Sequence, residues 1–138
     1  MHVTGGCHCG KVRFEAAIDT TGVNVCHCTD CQQLTGTAFR LSVPAAAGTF
    51  RVVEGTPRLY LKRADSGRVR EQAFCDSCGT PLYATSHGAE PRTYNLRVGS
   101  LEPSAREALR PARQIWYRSR LGWLDRIAEA PAIEGDPS

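Results

Sequence analysis

The stretch GKVRFEAAI, residues 10–18, places Val12, Phe14, Ala16 and Ile18 on one face of an extended chain. This period of two is the signature of a β-strand that is buried on one side. Glycine or proline turns separate many of the further segments of similar character. These segments are residues 23–25, 39–43, 50–53, 59–62, 69–74, 82–84, 94–98 and 115–118. Many short strands with frequent turns predict an all-β fold, either a sandwich or a partly closed sheet.

Two segments favour helix, and both are short. Residues 29–34 can form a turn or two, and residues 104–107 have the spacing of a capping box before Pro111. A chain of 138 residues has the length of one domain. We therefore expect one domain over residues 1–130 and a flexible tail over residues 131–138, which are rich in proline, glycine and acidic residues.

The composition favours a protein of a reducing compartment. The N-terminus lacks the cationic and apolar segments of a secretory signal, and no apolar run is long enough to cross a membrane. We therefore expect a cytoplasmic protein whose seven cysteines stay reduced. Its net charge of +3 invites a nucleic-acid partner, but seven thiolates and two Zn²⁺ ions would bring that charge to about zero. We therefore expect no membrane association, and nucleic acid is not the favoured partner.

The segment Cys75-Asp76-Ser77-Cys78-Gly79 is a zinc knuckle by its spacing. Two intervening residues let both sulfurs face one ion, and the glycine accepts a positive φ. Zinc prefers four ligands, so the pair needs a second pair, which Cys7 and Cys9 can supply from a glycine-rich bend. The four cysteines then form a closed structural site.

Cys26, Cys28 and Cys31 remain, three thiols within six residues. Zinc with three protein ligands and one exchangeable position is the usual arrangement of a catalytic ion. Four residues could instead close the tetrahedron and make both ions structural: His8, His27, Asp30 and His87. Disulfides in an exported protein and a redox Cys-x-x-Cys pair are further alternatives, but the odd cysteine count and the missing βαβ context argue against them.

The cysteine motifs resemble those of the glutathione-dependent formaldehyde-activating enzyme family, which includes centromere protein V. Residues 6–10 with 12–14 resemble the family opening, residues 26–31 its central motif, and residues 74–80 its knuckle. Gly99-Ser100-Leu101 and Trp123 also stand where similar residues recur. The resemblance covers most of the chain.

This resemblance implies an Mss4-like fold of antiparallel sheets with short helical turns and zinc-binding loops. It implies two Zn²⁺ ions, and we expect the second, at the open three-cysteine site, to be the more labile. Cys7, Cys9, Cys75 and Cys78 would hold the structural ion, and Cys26, Cys28 and Cys31 the catalytic one. The implied partner is a small thiol such as glutathione, and the implied reaction joins it to formaldehyde, formally a carbon–sulfur lyase reaction in reverse. The alternative is a non-catalytic zinc-stabilised module that binds protein or nucleic acid.

The chain departs from the family pattern at two places. Gln32-Gln33 stands where many relatives carry a basic residue, and Gln114 stands where a histidine is common. Cationic groups that could replace them against the carboxylates of glutathione come from an arginine-rich set of 15 arginines and two lysines. The candidates are Arg13, Arg40, Arg97 and Arg118.

Overall fold

A computed structural model describes residues 1–88 and 90–137, and it confirms the all-β prediction. Within that part of the chain, ten strands form two sheets: β1 (His2–Gly6), β2 (Arg13–Ala17), β3 (Asn24–Cys26), β4 (Arg40–Pro44), β5 (Arg51–Glu54), β6 (Arg58–Arg63), β7 (Val69–Phe74), β8 (Pro81–Ser86), β9 (Asn95–Arg97) and β10 (Arg113–Ile115). The smaller sheet has the order β1-β2-β5, and the larger has the order β10-β3-β4-β9-β8-β7-β6. The smaller sheet is antiparallel throughout.

Strand β2 lies within the alternating segment of residues 10–18. Phe14 and Ala16 are buried, as the period of two predicts. Its partner β1 was not predicted, because the glycines that close it were interpreted as part of a loop. Gly5 lies opposite Phe14 in the register, and a Cβ atom at Gly5 would lie 2.5 Å from Phe14 Cζ. The glycine therefore makes room for the Phe14 ring.

The larger sheet brings the middle and the end of the chain together. Its pairs are antiparallel except β3 with β10, which run parallel and place Ile115 opposite Cys26. The prediction of a strand over residues 115–118 was wrong in its bounds, because the backbone turns at Trp116, where φ is +54°. Residues Tyr117–Ser119 then form a 3₁₀ turn.

The helices are short, as predicted, and lie outside the sheets. Helix α1 covers Thr29–Thr35 and α2 covers Pro103–Ala108. The predicted capping box was wrong, since Glu102 is the N-cap of α2 and makes no side-chain capping hydrogen bond. Further 3₁₀ turns cover Thr20–Gly22, Val98–Ser100 and Leu124–Glu129. No helix in the described ranges has the length and apolar character needed to cross a membrane.

The core is formed by the inner faces of both sheets. Val3 and Phe14 come from the smaller sheet, and Val43, Leu82 and Leu96 come from the larger one, all at most 2% exposed. Cys7 and Cys75 belong to the same buried cluster. The cysteine loops are therefore anchored in the core. A substitution of Cys7 or Cys75 would disturb the packing of both sheets.

Candidate metal centres and the adjoining pocket

Four cysteines from two distant loops come together at one side of the fold. Cys7 and Cys9 follow strand β1, and Cys75 and Cys78 follow strand β7. Their sulfur atoms all lie within 4.8 Å of one another. The Sγ atoms of Cys7 and Cys9 are 3.6 Å apart, and those of Cys9 and Cys75 are 3.7 Å apart. A tetrahedron with zinc–sulfur bonds of about 2.3 Å has edges of about 3.8 Å, so the donor set fits such an ion.

Backbone N–H groups point at these sulfurs. The amide of Val12 donates to Cys7 Sγ at 3.2 Å, and the amide of Ser77 donates to Cys75 Sγ at 3.4 Å. Gly79 has a φ of +78°, as the knuckle spacing predicts. Hydrogen bonds from the Thr80 hydroxyl and backbone lower the pKa of Cys78 to about 5. Hydrogen bonds of this kind favour the thiolate, which is the form that binds metal.

An ion pair joins the two loops outside the sulfur cluster. Lys11 Nζ lies 2.8 Å from Asp76 Oδ1 and 3.0 Å from Ser77 Oγ. The backbone amide of His8 also donates to Thr80 Oγ1 at 3.0 Å. His8 itself is exposed, and its contacts belong to this four-cysteine side of the molecule.

The other three cysteines lie where strand β3 passes into helix α1. Cys26 is the last residue of β3, Cys28 is the N-cap of α1, and Cys31 is in its first turn. Their sulfurs also lie within 4.8 Å of one another, and all three residues are half-buried. The amide of Cys31 donates to Cys28 Sγ at 3.3 Å, so one sulfur both caps the helix and faces the cluster. This group, too, could hold a metal ion.

The side chains that the sequence analysis considered as a fourth ligand contact other groups. His27 is fully buried, and its Nε2 lies 2.8 Å from Gln114 Oε1. Asp30 Oδ2 lies 2.9 Å from Lys62 Nζ, and His87 Nδ1 lies 3.0 Å from a carboxylate oxygen of Glu71. Over residues 1–88 and 90–137, no histidine, carboxylate or further cysteine joins the three sulfurs.

Two of the four candidate arginines lie beside this three-cysteine cluster. Arg40 is paired with Cys26 across β3 and β4, and both Arg40 and Arg97 are more than nine-tenths buried. A hydrogen bond with Cys26 lowers the pKa of Cys31 to about 5, and the Arg40 guanidinium contributes to this shift. Burial and the charge of Arg40 lower the pKa of Arg97 to about 9.

The other two candidate arginines lie elsewhere. Arg13 lines a pocket beside the four-cysteine cluster. Arg118 stacks over the ring of Trp116, with its Cζ atom 4.6 Å from the ring centroid. Trp116 in turn lines a pocket of about 530 Å³ that opens onto Cys28. Sequence alone does not distinguish the four arginines, because the packing of the sheet decides which of them lie beside the cluster.

Both departures from the family pattern have structural roles here. The amide of Gln32 donates to the backbone oxygens of His27 at 2.8 Å and Ser119 at 3.1 Å. Gln114 holds the ring of His27. The two glutamines therefore tie the loop of Cys26–Cys28 to β10 and to the segment that follows it. Sequence reasoning recognised the positions but not this role.

A pocket of about 450 Å³ is lined by Arg97 and by Arg40, whose guanidinium contacts Cys31 of the three-cysteine cluster. Its walls are mostly apolar and include Leu34 of helix α1, Phe74 and Pro81. Arg97, which also lines the pocket, donates hydrogen bonds to Ser42 Oγ at 2.8 Å and to Gln72 Oε1 at 2.6 Å. The arrangement combines thiol donors, two guanidinium groups and an apolar cavity.

The family of the chain follows from comparison with known proteins. The family model described as glutathione-dependent formaldehyde-activating enzyme matches residues 2–119, and the chain belongs to that family. The fold is similar to a crystal structure of a Rhodobacter sphaeroides protein, with 25% sequence identity and a TM-score of 0.57. That similarity covers 72% of this chain and 88% of the other. Residues 2–119, which the family model matches, contain both cysteine clusters.

Proposed function

We propose that this protein is a zinc-dependent enzyme that joins glutathione to formaldehyde and gives S-(hydroxymethyl)glutathione. The observation that carries the proposal is the three-cysteine cluster, whose sulfurs converge without a fourth protein ligand in the described residues. A zinc ion held there by Cys26, Cys28 and Cys31 would bind and polarise a thiol at its exchangeable position. Cys7, Cys9, Cys75 and Cys78 would hold the structural zinc.

The reaction needs a sulfur nucleophile and a place for one proton. The thiol sulfur forms a bond to the carbonyl carbon, and the electron pair of the C=O π bond moves to oxygen. That oxygen takes up the proton that the thiol has lost, so atoms and charge balance. The reverse reaction breaks the carbon–sulfur bond, which makes the enzyme a carbon–sulfur lyase in that direction.

The chain itself supplies orientation and charge. The helix α1 cap holds Cys28 and Cys31 in fixed relation, and Arg40 favours the thiolate of Cys31. Asp30 is paired with Lys62, and Tyr117 packs edge-on against His27 with ring centroids 5.7 Å apart. Asp30 and Tyr117 are candidates to carry the proton from the thiol to the carbonyl oxygen. These contacts do not single out either of them for that role. A glutathione reaction suits a reducing compartment, for which the cytoplasm is our proposal.

Exchange NMR with glutathione and ¹³C-formaldehyde tests the reaction. We expect the zinc-loaded protein to accelerate formation and breakdown of the adduct in proportion to enzyme concentration, and Cys28→Ser to abolish the acceleration. Rates equal to the uncatalysed background at every enzyme concentration would contradict the proposal. Retention of DNA that weakens steeply with salt would instead support a binding module.

Metal analysis provides an independent test. We expect two zinc ions per chain, of which a mild chelator removes one, because three protein donors hold an ion less firmly than four. Two ions of equal resistance would contradict the division into structural and catalytic sites.

A further inference from the structure

Arg40 and Arg97 are two buried cations without a carboxylate partner in the described part of the chain. Both are more than nine-tenths buried, and in the described part of the chain neither forms a salt bridge. The hydrogen-bond partners of Arg97 are the neutral side chains of Ser42 and Gln72. Arg40 Nε has no hydrogen-bond partner. Burial of unpaired charge costs several kcal/mol per ion, so roughly that cost must be offset by something else.

The three thiolates offset only part of this positive charge. A divalent ion bound by three thiolates carries a net charge of about −1, whereas two guanidinium groups carry about +2. Arg70 adds a third cation within range of Arg97 and further lowers its pKa. The residues that line the pocket beside these arginines include no aspartate or glutamate. The loaded site therefore lacks at least one negative charge.

The pocket is also far larger than formaldehyde. It encloses about 450 Å³, whereas a molecule of roughly the size of water takes about 30 Å³. Apolar walls with a few convergent polar groups are typical of a site for a small organic ligand. Arginine pairs with carboxylates through two parallel hydrogen bonds, and both Arg40 and Arg97 line this pocket.

We propose that Arg40 and Arg97 form a subsite for a carboxylate of the substrate, in the pocket next to the three-cysteine cluster. The proposal rests on the proposed function and specifies its substrate class. The carboxylate belongs either to the thiol, as in glutathione, or to the carbonyl compound, as in a 2-oxo acid such as glyoxylate. In either case the carboxylate would pair with the two arginines that line the pocket, and the sulfur or carbonyl carbon would react at the three-cysteine cluster.

Calorimetric titration of the zinc-loaded protein distinguishes the two sources and needs no variant. The first arm compares glutathione with its diethyl ester, in which both carboxylates are neutral. The second arm uses glycolate, a stable carboxylate of nearly the size of glyoxylate, against its ethyl ester. We expect the acid of one pair to bind at least about tenfold more tightly than its ester. Acid and ester of equal affinity in both arms would overturn the proposal.

Variants then assign the effect to the arginines. We expect Arg40→Gln to remove the difference between acid and ester, and Arg97→Lys, which keeps the charge, to reduce it. Arg13→Gln is the matched control, because Arg13 lies beside the other cysteine cluster, and it should leave the difference unchanged. Zinc content and melting temperature are measured for every variant. An effect of Arg13→Gln as large as that of Arg40→Gln would overturn the assignment.

The outcomes separate this subsite from the reaction itself. If no adduct is formed but an acid still binds more tightly than its ester, the reaction is wrong and the subsite stands. If the adduct is formed and the carboxylates make no difference to binding, the subsite alone is wrong.

Discussion

The two cysteine clusters predict opposite results for one kind of substitution. Cys75→Ser removes a buried sulfur of the four-cysteine cluster, where Cys75 is 1% exposed. Cys28→Ser removes a half-buried sulfur of the three-cysteine cluster. Serine is close in size to cysteine in both cases, so the comparison isolates the loss of a thiolate.

The expected magnitudes differ because the clusters hold different parts of the fold. A structural zinc contributes about 10–16 kcal/mol of apparent binding free energy, and a domain is stable by only about 5–15 kcal/mol. Cys75→Ser should therefore unfold the protein at room temperature. At Cys28 the sulfur caps helix α1, and serine is a preferred N-cap whose loss to alanine costs about 1 kcal/mol. Cys28→Ser should stay folded, while Cys28→Ala should melt a few degrees lower.

Circular dichroism melting and zinc determination on the same samples measure both effects. We expect Cys28→Ser to retain one zinc ion, a cooperative melting transition and no activity. We expect Cys75→Ser to show no cooperative transition. The reasoning is refuted if both serine variants lose the fold equally, or if Cys75→Ser melts like the unsubstituted protein.

Three further substitutions test the packing and the charges around the site. Gly5→Ala should destabilise the protein by about 1–3 kcal/mol in denaturant titrations, because the new Cβ would lie 2.5 Å from Phe14 Cζ; an unchanged midpoint would show that β1 can shift. Gln114→Leu should cost about 1–3 kcal/mol, because it leaves the ring of buried His27 without its partner; a stability equal to that of the unsubstituted protein would contradict this contact. Burial raises the pKa of Tyr83 to about 12, so its contribution to stability is complete below about pH 10 and is lost as the pH rises through about 12. Tyr83→Phe should remove that part of the alkaline decline, and an identical decline in both proteins would contradict the shift.

The grouping of the sulfurs could be predicted from sequence because ligand spacing is a local property. Cys75 and Cys78 carry their own glycine turn, and Cys26, Cys28 and Cys31 lie within six residues. Alternation along β2 likewise predicted an all-β fold. These patterns depend on neighbouring residues, which a sequence displays directly.

The remaining features depend on contacts between distant residues. Strand β1 was missed because Gly5 makes room for the Phe14 ring on the neighbouring strand and does not mark a turn. Arg40 and Arg97 could not be chosen from four candidates, since their burial follows from the pairing of β4 with β9. Strand β10 ends where the backbone at Trp116 is left-handed. This end could not be predicted, because the position is not a glycine.

The different spans of the two clusters have a consequence for synthesis of the protein. Cys9 and Cys75 are 66 residues apart. The four-cysteine cluster therefore forms only after a long loop closes, and closing that loop costs conformational entropy. The three-cysteine cluster is complete once residue 31 has left the ribosome. We therefore expect the growing chain to meet its first metal ion at the cluster that we propose to be catalytic. The structural ion would arrive only after the knuckle at residues 75–78 has been made.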